Sequence, residues 1–246
     1  MKHKIQRVRH ELRRRRLIVT KVGAVTPNML RVHLSGDELQ GFTSLAADDH
    51  VKLFLPVSGG VFERRDYTPR YHDKVPCELT LDFAMHQAGP ATDWARNVVP
   101  GDTVEIGGPR GSVVVPYDFD WWLLVGDETS LPSIGRRMEE LPLGTNVTTV
   151  IAVGSPEDEQ VFATSALHNA IWLHRPLDHA DDPSSFLKAL SQFSPKQGDG
   201  FIWIAAEAKV ARTVRMDVLE RIGHPKQWLK ASGYWVKGRA DAQEKL

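Results

Sequence analysis

Two patterns of hydrophobic positions divide the chain near residue 118. Between Leu17 and Asp118, apolar and polar residues alternate in short segments, which is the period of a half-buried β-strand. Turn-forming segments rich in proline, glycine and asparagine separate these segments. The pattern predicts a small antiparallel barrel that is interrupted by one helix near Ala91 to Asn97. The predicted strands contain Leu30, Val32 and Leu34; Val51, Leu53 and Leu55; Leu79, Leu81 and Phe83; Val104 and Ile106; and Val113 and Val115.

After Asp118 the apolar residues form continuous runs, as expected of parallel strands that are buried on both faces. Helices are predicted between these runs because apolar residues recur three and four positions apart. We therefore expect a barrel domain over residues 1–118 and an α/β domain over residues 119–246. The predicted strands are Trp121 to Val125, Val147 to Val153, Ala170 to Leu173 and Phe201 to Ala205, and the predicted helices are Leu131 to Leu141, Ser184 to Phe193 and Lys209 to Ile222.

The net charge of zero conceals an uneven distribution. Residues 1–16, here called the basic arm, carry eight of the 31 basic residues and one of the 31 acidic residues. The rest of the chain therefore has a net charge of −7. Because the rest of the chain is negatively charged, it has no large basic surface that could bind a phosphate backbone. This excludes a dedicated nucleic-acid-binding protein unless the arm does all the binding. We expect the arm to lead into the first barrel strand and to lie against the barrel.

The cysteine count and the length of the apolar runs restrict the location of the protein. Cys77 is the single cysteine, so neither an intrachain disulfide nor a zinc site built from several cysteines of one chain is expected. The longest apolar runs have about six residues, whereas a membrane-spanning helix needs about 20. The basic arm lacks the apolar segment of a secretory signal. We therefore expect a cytoplasmic protein without a membrane span, and the ten histidines show no metal-ligand spacing.

The most informative motif is Arg-Asp-Tyr-Thr-Pro-Arg at residues 65–70. An arginine offers a fixed fork of donors to a phosphate, an aromatic ring stacks on a flat heterocycle, and a hydroxyl bonds a ring nitrogen or carbonyl. These groups together suit a phosphorylated aromatic cofactor. A charged edge strand with a tyrosine whose hydroxyl is hydrogen-bonded within the protein is the alternative.

Two further segments support a nucleotide cofactor. The strand from Leu79 to His86 leads into Gly89 to Trp94, where small residues and Thr92 open a helix whose first amides can hold a pyrophosphate. The segment Val125 to Pro132 ends the first strand of the α/β half and begins a helix. Ligands bind at such carboxyl ends of strands in open α/β sheets.

These motifs, together with the segments from Thr26 to Val32, Asp49 to Phe54, Gly108 to Gly111 and Gly233 to Trp235, resemble the siderophore-interacting, FAD-binding ferric-chelate reductases of the ferredoxin-reductase superfamily. The resemblance covers nearly the whole chain. It implies an antiparallel flavin-binding barrel followed by a parallel-sheet, nicotinamide-binding-type domain. It also implies that electrons from NADPH or NADH pass through FAD to a ferric siderophore or other ferric chelate, which releases iron as Fe(II).

The resemblance assigns roles to individual residues. It implies that Arg65 pairs with the FAD pyrophosphate, that Tyr67 lies against the flavin ring, and that Thr68, the catalytic residue, reaches the flavin N5 region. Lys52 and Arg110 match basic positions beside the substrate pocket, and an anionic chelate favours cations there. The further implied cofactor-binding residues are Arg70, Asp82, Met85, His86, Ala91, Thr92, Asp127, Thr129 and Trp235. Lys209 is a candidate for the substrate or the nicotinamide phosphate. The alternatives are a solvated strand lysine for Lys52, a turn residue between Gly108 and Gly111 for Arg110, and a solvated helix start for Lys209.

Alternatives remain for the donor and for the activity. Some relatives use ferredoxin, but only eleven residues follow Trp235, which favours NAD(P)H. The sequence contains no Gly-x-Gly-x-x-Gly fingerprint, so the nicotinamide rests on the resemblance alone. A non-catalytic siderophore-binding module would use the same cationic pocket, and a nucleic-acid or membrane-surface protein would act through the basic arm. We expect a monomer, and no resident metal, because iron arrives in its chelate.

Overall fold

The computed structural model describes residues 2–56, 62–73, 75–85 and 89–246. The chain divides into two compact units, each of which is described by itself. The first unit comprises the described residues up to Pro116 together with residues 135–137. The second unit comprises residues 117–134 and 138–246.

Antiparallel strands form the first unit. A seven-stranded sheet has the order β5-β4-β8-β2-β3-β7-β6, and β1 pairs with β9 in a separate two-stranded sheet. One helix, α1, covers Pro90–Asn97, in agreement with the predicted helix. The strands are β1 (Gln6–Arg9), β2 (Arg14–Thr26), β3 (Met29–Ser35), β4 (Val51–Pro56), β5 (Phe62–Tyr67), β6 (Pro69–Asp73), β7 (Glu78–Ala84), β8 (Thr103–Gly107) and β9 (Gly111–Val114).

Alternation along each strand builds the core of this unit. On β4, Val51, Leu53 and Leu55 are buried whereas Lys52 and Phe54 on the other face are not. Apolar side chains of α1 are also part of this core, because the alanines of this short helix pack against the buried strand residues. The predicted antiparallel barrel-type sheet is confirmed. Strands β5 and β6, which carry the Arg-Asp-Tyr-Thr-Pro-Arg motif, were not predicted as strands because charged residues dominate them.

The basic arm is part of the first unit. Its residues form β1 and the beginning of β2, and β1 pairs in register with β9. Beyond this ladder, the His10 amide donates to the carbonyl of Arg110 at 3.0 Å, and His10 Nε2 lies 2.8 Å from Ser112 Oγ. The Ser112 hydroxyl in turn donates to the buried carboxylate of Asp49 at 2.6 Å. The arm therefore contributes strand residues to both sheets of this unit.

Parallel strands form the second unit. The sheet order is β12-β11-β10-β13-β14-β15; the first five strands run parallel and β15 is antiparallel. The strands are β10 (Trp121–Asp127), β11 (Asn146–Val153), β12 (Leu167–His174), β13 (Gly200–Glu207), β14 (Leu229–Trp235) and β15 (Glu244–Lys245). The helices are α2 (Leu131–Glu140), of which residues 135–137 belong to the first unit, α3 (Ser184–Ser191) and α4 (Ala208–Glu220).

The predicted strands and helices of this half agree with the structure to within three residues. Every residue of the two central strands, β10 and β13, is buried, as continuous apolar runs require. Helix α4 packs with Val210, Val214 and Val218, which recur every four residues. Strand β14 was not predicted because it contains no continuous apolar run. Among the described residues, no helix has the length and hydropathy of a membrane span.

The order of the strands identifies one functional edge in this unit. From β10 the chain continues to β11 and β12 on one side, and then returns to β13 and β14 on the other side. The carboxyl ends of β10 and β13 therefore lie at a topological switch point. Ligands of open α/β sheets bind at such points.

Candidate functional site

Arg65 lies on β5 in a position that leaves part of its guanidinium available. Nη1 donates to the carbonyl of Arg64 at 2.9 Å, and Nη2 pairs with the carboxylate of Glu63. A guanidinium has five N–H donors, so these two contacts leave others for phosphate oxygens. The side chain is about one-fifth exposed. Its predicted role at the pyrophosphate is compatible with this geometry and stays a prediction.

The ring of Tyr67 is supported from the barrel core. It packs against Phe83 with a centroid distance of 4.2 Å, and Phe83 packs against Trp94 of α1. Burial raises the pKa of the Tyr67 hydroxyl, an effect that the positive charge of Arg65 opposes. The hydroxyl is therefore protonated at neutral pH and is a hydrogen-bond donor. A ring held on one side by the core is suited to contact a flat cofactor on the other.

Thr68 connects β5 to β6 and is buried, as is Arg70 two residues later. The Arg70 guanidinium lies over the ring of Tyr71 at 4.1 Å, and its Nε is 3.9 Å from Oδ2 of Asp82. Asp82 itself receives two hydrogen bonds of 2.7 Å from Arg31. Its carboxylate therefore orients arginines, a function that the sequence did not reveal.

Arg136 was not predicted as a site residue, yet it fixes the segment that follows Thr68. This buried side chain belongs to the first unit and donates to Pro69 O at 3.0 Å, Ser44 Oγ at 2.8 Å and Ser44 O at 3.0 Å. Gly135 beside it faces Arg70, since a Cβ there would lie 2.9 Å from Arg70 Nη2. A glycine inside a predicted helix indicates that another group packs closely against the helix backbone. Here that group is the Arg70 guanidinium, which the sequence analysis did not predict.

Helix α1 begins with features that suit an anion. Gly89 has a φ of 143°, which favours glycine, and Pro90 occupies the first turn. No side chain among the described residues caps this end by a hydrogen bond, so the first amides can serve a phosphate. Thr92 and Ala91 are buried in the first turn. Met85 packs against the barrel core. The predicted residue His86 lies outside the described residues.

Three predicted cofactor residues meet in the second unit. Oδ1 of Asp127 accepts from the amide and hydroxyl of Thr129, at 3.0 and 2.6 Å. Oδ2 accepts from the amide of Glu207 at 2.8 Å and from Nε1 of Trp235 at 2.9 Å. Since each carboxylate oxygen already has two protein donors, Asp127 orients its neighbours, and Thr129 and Trp235 are the groups it positions.

Beside Asp127 lies a buried ion pair that the sequence analysis missed. Glu128 follows β10 and Arg175 follows β12, and Arg175 Nη2 donates to Glu128 Oε2 at 2.9 Å. Burial and the charge of Asp127 raise the pKa of Glu128 to about 7, although Arg175 lowers it. Within the described part of the chain, Arg175 Nε and Nη1 and Glu128 Oε1 have no hydrogen-bond partner. The signal in the sequence was an acidic residue directly after a buried strand.

The predicted substrate residues lie in different places. Lys52 donates to Asp66 Oδ2 at 2.8 Å, which ties it to the strand that carries Arg65 and Tyr67. The side chain of Arg110 is exposed. Lys209 opens α4 in the second unit.

Lys209 is one of two lysines that meet a single carboxylate. Its Nζ lies 3.7 Å from Asp181 Oδ2, and Lys237 Nζ donates to Oδ1 of the same residue at 2.6 Å. The pKa of Asp181 is lowered, chiefly by its hydrogen bond with Lys237. No group of three or more potential metal ligands occurs among residues 2–56, 62–73, 75–85 and 89–246.

Comparison with known protein families gives a consistent result along the chain. Residues 119–238 match the family model described as siderophore-interacting protein. Residues 18–64 and 61–113 match the siderophore-interacting FAD-binding domain. The chain belongs to the siderophore-interacting protein family. The family predicted from the motifs is therefore confirmed.

Individual relatives of this siderophore-interacting protein support the assignment. It is 34% identical to the NADPH-dependent ferric-chelate reductase of Escherichia coli K12, over 94% of this chain and 96% of that protein. A siderophore utilization protein from T. fusca has a similar crystal structure, with a TM-score of 0.90, 32% identity and 98% of each chain covered. The ferric vibriobactin reductase ViuB of Vibrio cholerae is 25% identical over 87% of this chain and 86% of that protein.

Membership of the siderophore-interacting family makes FAD the flavin of this protein, and the residues of the first unit fit it. Arg65 keeps donors for phosphate, Tyr67 presents a ring backed by Phe83, and the first turn of α1 offers amides to an anion. The fold is the ferredoxin-reductase-like combination that the sequence predicted. The role of each residue at the cofactor stays a prediction.

Proposed function

We propose that this siderophore-interacting protein is an FAD-dependent ferric-chelate reductase that takes electrons from NADPH and frees iron as Fe(II). The similarity to the E. coli NADPH-dependent ferric-chelate reductase over 94% of the chain supports the reaction. The observation that carries the proposal is the motif at residues 65–70, with Tyr67 held against Phe83 beside a buried Thr68. FAD, when bound, supplies the conversion of a two-electron hydride into single electrons for Fe(III).

The first unit binds and orients the cofactor. Arg65 and the first amides of α1 hold the pyrophosphate, because both offer N–H donors to anionic oxygens. When FAD is bound, Tyr67 would lie against the isoalloxazine, and Thr68, the proposed catalytic residue, would offer its hydroxyl to the N5 region. Arg136 keeps Thr68 in place through the carbonyl of Pro69. Asp82 and Met85 would line the isoalloxazine or ribityl side of the bound cofactor, and Arg70 lies beside Asp82.

The second unit receives the nicotinamide nucleotide at the carboxyl ends of its parallel strands. Asp127 holds Thr129 and the indole of Trp235 in one orientation at this edge. Lys209 supplies a cation for a phosphate of the nucleotide, since its side chain is more than half exposed. Within the described residues this edge has no Gly-x-Gly-x-x-Gly loop, so these side chains replace the usual backbone cradle.

The substrate is an anionic ferric siderophore or ferric citrate. Lys52 and Arg110 attract it, because opposite charge raises the rate of encounter. Iron leaves after reduction because an oxygen-rich chelator holds Fe(II) less tightly than Fe(III). We place this reaction in the cytoplasm, where the single cysteine stays reduced, and expect the monomer to be the active form.

Anaerobic flavin spectroscopy tests the proposal. The FAD-loaded protein is photoreduced, ferric citrate is added, and the return of oxidised flavin absorbance is followed together with Fe(II) capture by a chromogenic chelator. We expect reoxidation with one Fe(II) captured per electron. A reduced flavin that stays reduced would favour a non-catalytic siderophore-binding module and overturn the proposal.

The electron donor is tested separately by mixing oxidised holoprotein with NADPH, NADH or reduced ferredoxin. We expect NADPH to bleach the flavin fastest. Bleaching by ferredoxin alone would replace the donor in the proposal and leave the ferric-chelate reaction intact. A protein that does not bind FAD on titration would overturn both parts.

A further inference from the structure

A cavity of about 470 Å³ opens at the amino ends of the parallel strands of the second unit. Its walls come from the first residues of β10, β11 and β12 and from the loop between α3 and β13. Asp127, which ends β10, marks the opposite, carboxyl edge of the same sheet. A volume of this size is typical of small-molecule sites. The proposed reaction uses none of the residues that line the cavity.

The sheet face at this cavity is polar, although the same face is apolar further along the strands. On β11, Asn146 and Thr148 precede Val150, and on β12 Asn169 precedes Ile171. Residues two apart on a strand share a face, and the register places Thr148 opposite Asn169 and Val150 opposite Ile171. Val150 and Ile171 pack in the core of this unit. The polar side chains therefore begin where the core ends and the cavity opens.

The polar groups of this face have no hydrogen-bond partner in the part of the chain that the structure describes. This holds for the side-chain amides of Asn146 and Asn169 and for the hydroxyl of Thr148, all of which solvent reaches. Strand spacing and rise separate the backbones of Asn146 and Asn169 by about 8 Å, which leaves room for a flat ring to contact both. Each amide offers both donors and an acceptor. A ligand edge that donates and accepts complements them.

The loop that carries Lys196 is attached to the cavity wall on both sides of this residue. Before it, the ring of Phe193 packs against Trp121 with a centroid distance of 5.9 Å. After it, the carbonyl of Gly198 accepts a hydrogen bond of 3.2 Å from Nε1 of Trp121. The exposed lysine therefore extends from a backbone that is already in place, and less freedom is lost when it binds a ligand.

The cavity has a positive charge. Among the described residues that line it, Lys196 alone is charged at neutral pH, since none is Asp or Glu. His168 is neutral, because burial lowers its pKa, and its Nε2 lies 2.9 Å from Thr149 Oγ1. The ammonium of Lys196 thus has no counter-charge within the cavity, which favours a ligand that carries a negative group.

We propose that this cavity binds a purine nucleotide, with the base at Asn146 and Asn169 and the phosphate at Lys196. Asparagine amides pair with the donor and acceptor groups of a purine edge, and aromatic walls such as Trp121 and Phe193 suit a flat base. A lysine ammonium is a common ligand of phosphate. A planar aromatic acid would also meet the aromatic walls and Lys196, but it would leave the amides without partners. The site lies at the edge opposite to the proposed nicotinamide site and does not depend on the proposed reaction.

Removal of the charge at the cavity tests the phosphate contact. AMP is titrated calorimetrically into the FAD-loaded protein, and Lys196→Gln is compared with Lys188→Gln. Lys188 is the matched control, because it is an exposed lysine of α3 that does not line the cavity. We expect Lys196→Gln to raise the dissociation constant of AMP about fivefold at low salt and less than about twofold at about 0.5 M NaCl, because salt screens the charge. Equal effects of the two variants, or no measurable binding of AMP, would overturn the proposal.

The base contact is tested with adenosine, which lacks the phosphate, and with salicylate, a planar aromatic acid that lacks the base edge. Asn169→Ala should raise the dissociation constants of AMP and adenosine alike, by about tenfold, whereas Lys196→Gln should leave that of adenosine unchanged. Salicylate should bind the native protein at least about tenfold more weakly than AMP, because it cannot pair with the amides. Salicylate binding as tight as that of AMP, or an adenosine affinity that Asn169→Ala does not change, would refute recognition of a base.

Hydrogen exchange locates the bound nucleotide and separates this site from the nicotinamide site. AMP should slow amide exchange in residues 167–169 and 192–197 and leave residues 127–130 unchanged. Protection confined to residues 127–130, or a loss of AMP binding in Lys209→Gln with none in Lys196→Gln, would place AMP at the carboxyl edge and overturn the proposal. None of these measurements requires turnover, so they decide the proposal even if the protein does not reduce ferric chelates.

Discussion

The indole Nε1 of Trp235 donates a hydrogen bond of 2.9 Å to Oδ2 of Asp127, a residue 108 positions earlier in the chain. The same oxygen accepts from the amide of Glu207. One buried carboxylate thereby connects the ends of β10, β13 and β14. Asp127 thus organises the carboxyl edge of the parallel sheet, and both of its carboxylate oxygens already accept hydrogen bonds from the protein.

Replacing Asp127 is expected to cost more stability than replacing Trp235. Asp127→Ala leaves several buried donors unpaired, which should lower the free energy of unfolding by about 3 kcal/mol or more, whereas Trp235→Phe should lower it by about 1 kcal/mol. Urea denaturation at pH 7 measures both changes. The free energy of unfolding of the double variant should fall by less than the sum of the two single losses, because both substitutions remove the same hydrogen bond. A Trp235→Phe loss equal to that of Asp127→Ala would contradict this account.

Glu128 should make the stability depend on pH. Burial first, and then the charge of Asp127, raise its pKa from 4.5 to about 7. Between these values the native protein holds a proton that the unfolded chain has released, so the stabilisation is complete below about pH 4.5 and falls as the pH rises to about 7. The loss should approach about 3 kcal/mol.

Glu128→Gln isolates this contribution, because glutamine keeps an oxygen for Arg175 and does not titrate. Buried histidines with lowered pKa, such as His224, titrate in both proteins and cancel in the difference. The free energy of unfolding of the variant minus that of the native protein should therefore increase from pH 4.5 to pH 7. A difference that stays constant over this range would mean that Glu128 is already ionised in the native protein.

Gly111→Ala should displace the basic arm from β9. A Cβ at Gly111 would lie 2.4 Å from the backbone carbonyl oxygen of Val8, so β1 has to move. Trypsin should then cleave the arm about tenfold faster, which corresponds to about 1.4 kcal/mol of lost docking energy. Gly23→Ala is the control, since a Cβ there meets no described atom within 4 Å. Equal cleavage of the two variants, measured by mass spectrometry, would refute the effect.

Arg136→Met should weaken FAD binding as well as stability. The change removes the donor to Pro69 and both donors to Ser44, and it leaves buried acceptors unpaired at a cost of about 3 kcal/mol. Because Pro69 follows Thr68, we expect the dissociation constant for FAD to rise about tenfold, which is about 1.4 kcal/mol. Flavin fluorescence titration measures it.

Ser44→Ala separates the two effects of Arg136. It removes the Oγ acceptor and keeps the bond to Pro69, so stability should fall while the affinity for FAD is retained. If Ser44→Ala weakens FAD binding as much as Arg136→Met, Arg136 acts through general stability and not through the position of Thr68.

The sequence by itself determined the two kinds of sheet and the segment that carries the cofactor motif. Alternation at Leu53 and Leu55 indicates a strand with one buried face, and the run from Trp121 to Val125 indicates a strand buried on both. These patterns are local. Buried positions recur at every second residue in a strand with one buried face, and at every residue in a strand that is buried on both faces. The motif at residues 65–70 was equally readable, since its residues are adjacent.

Only the tertiary structure decided which polar groups meet. Asp127 bonds to Trp235 across 108 residues, Arg136 to Ser44 across 92, and Asp82 to Arg31 across 51. The placement of Thr148 opposite Asn169 likewise follows from strand order and register. Neither order nor register is encoded in local hydrophobic periodicity, because a polar side chain finds its partner only after distant strands have paired.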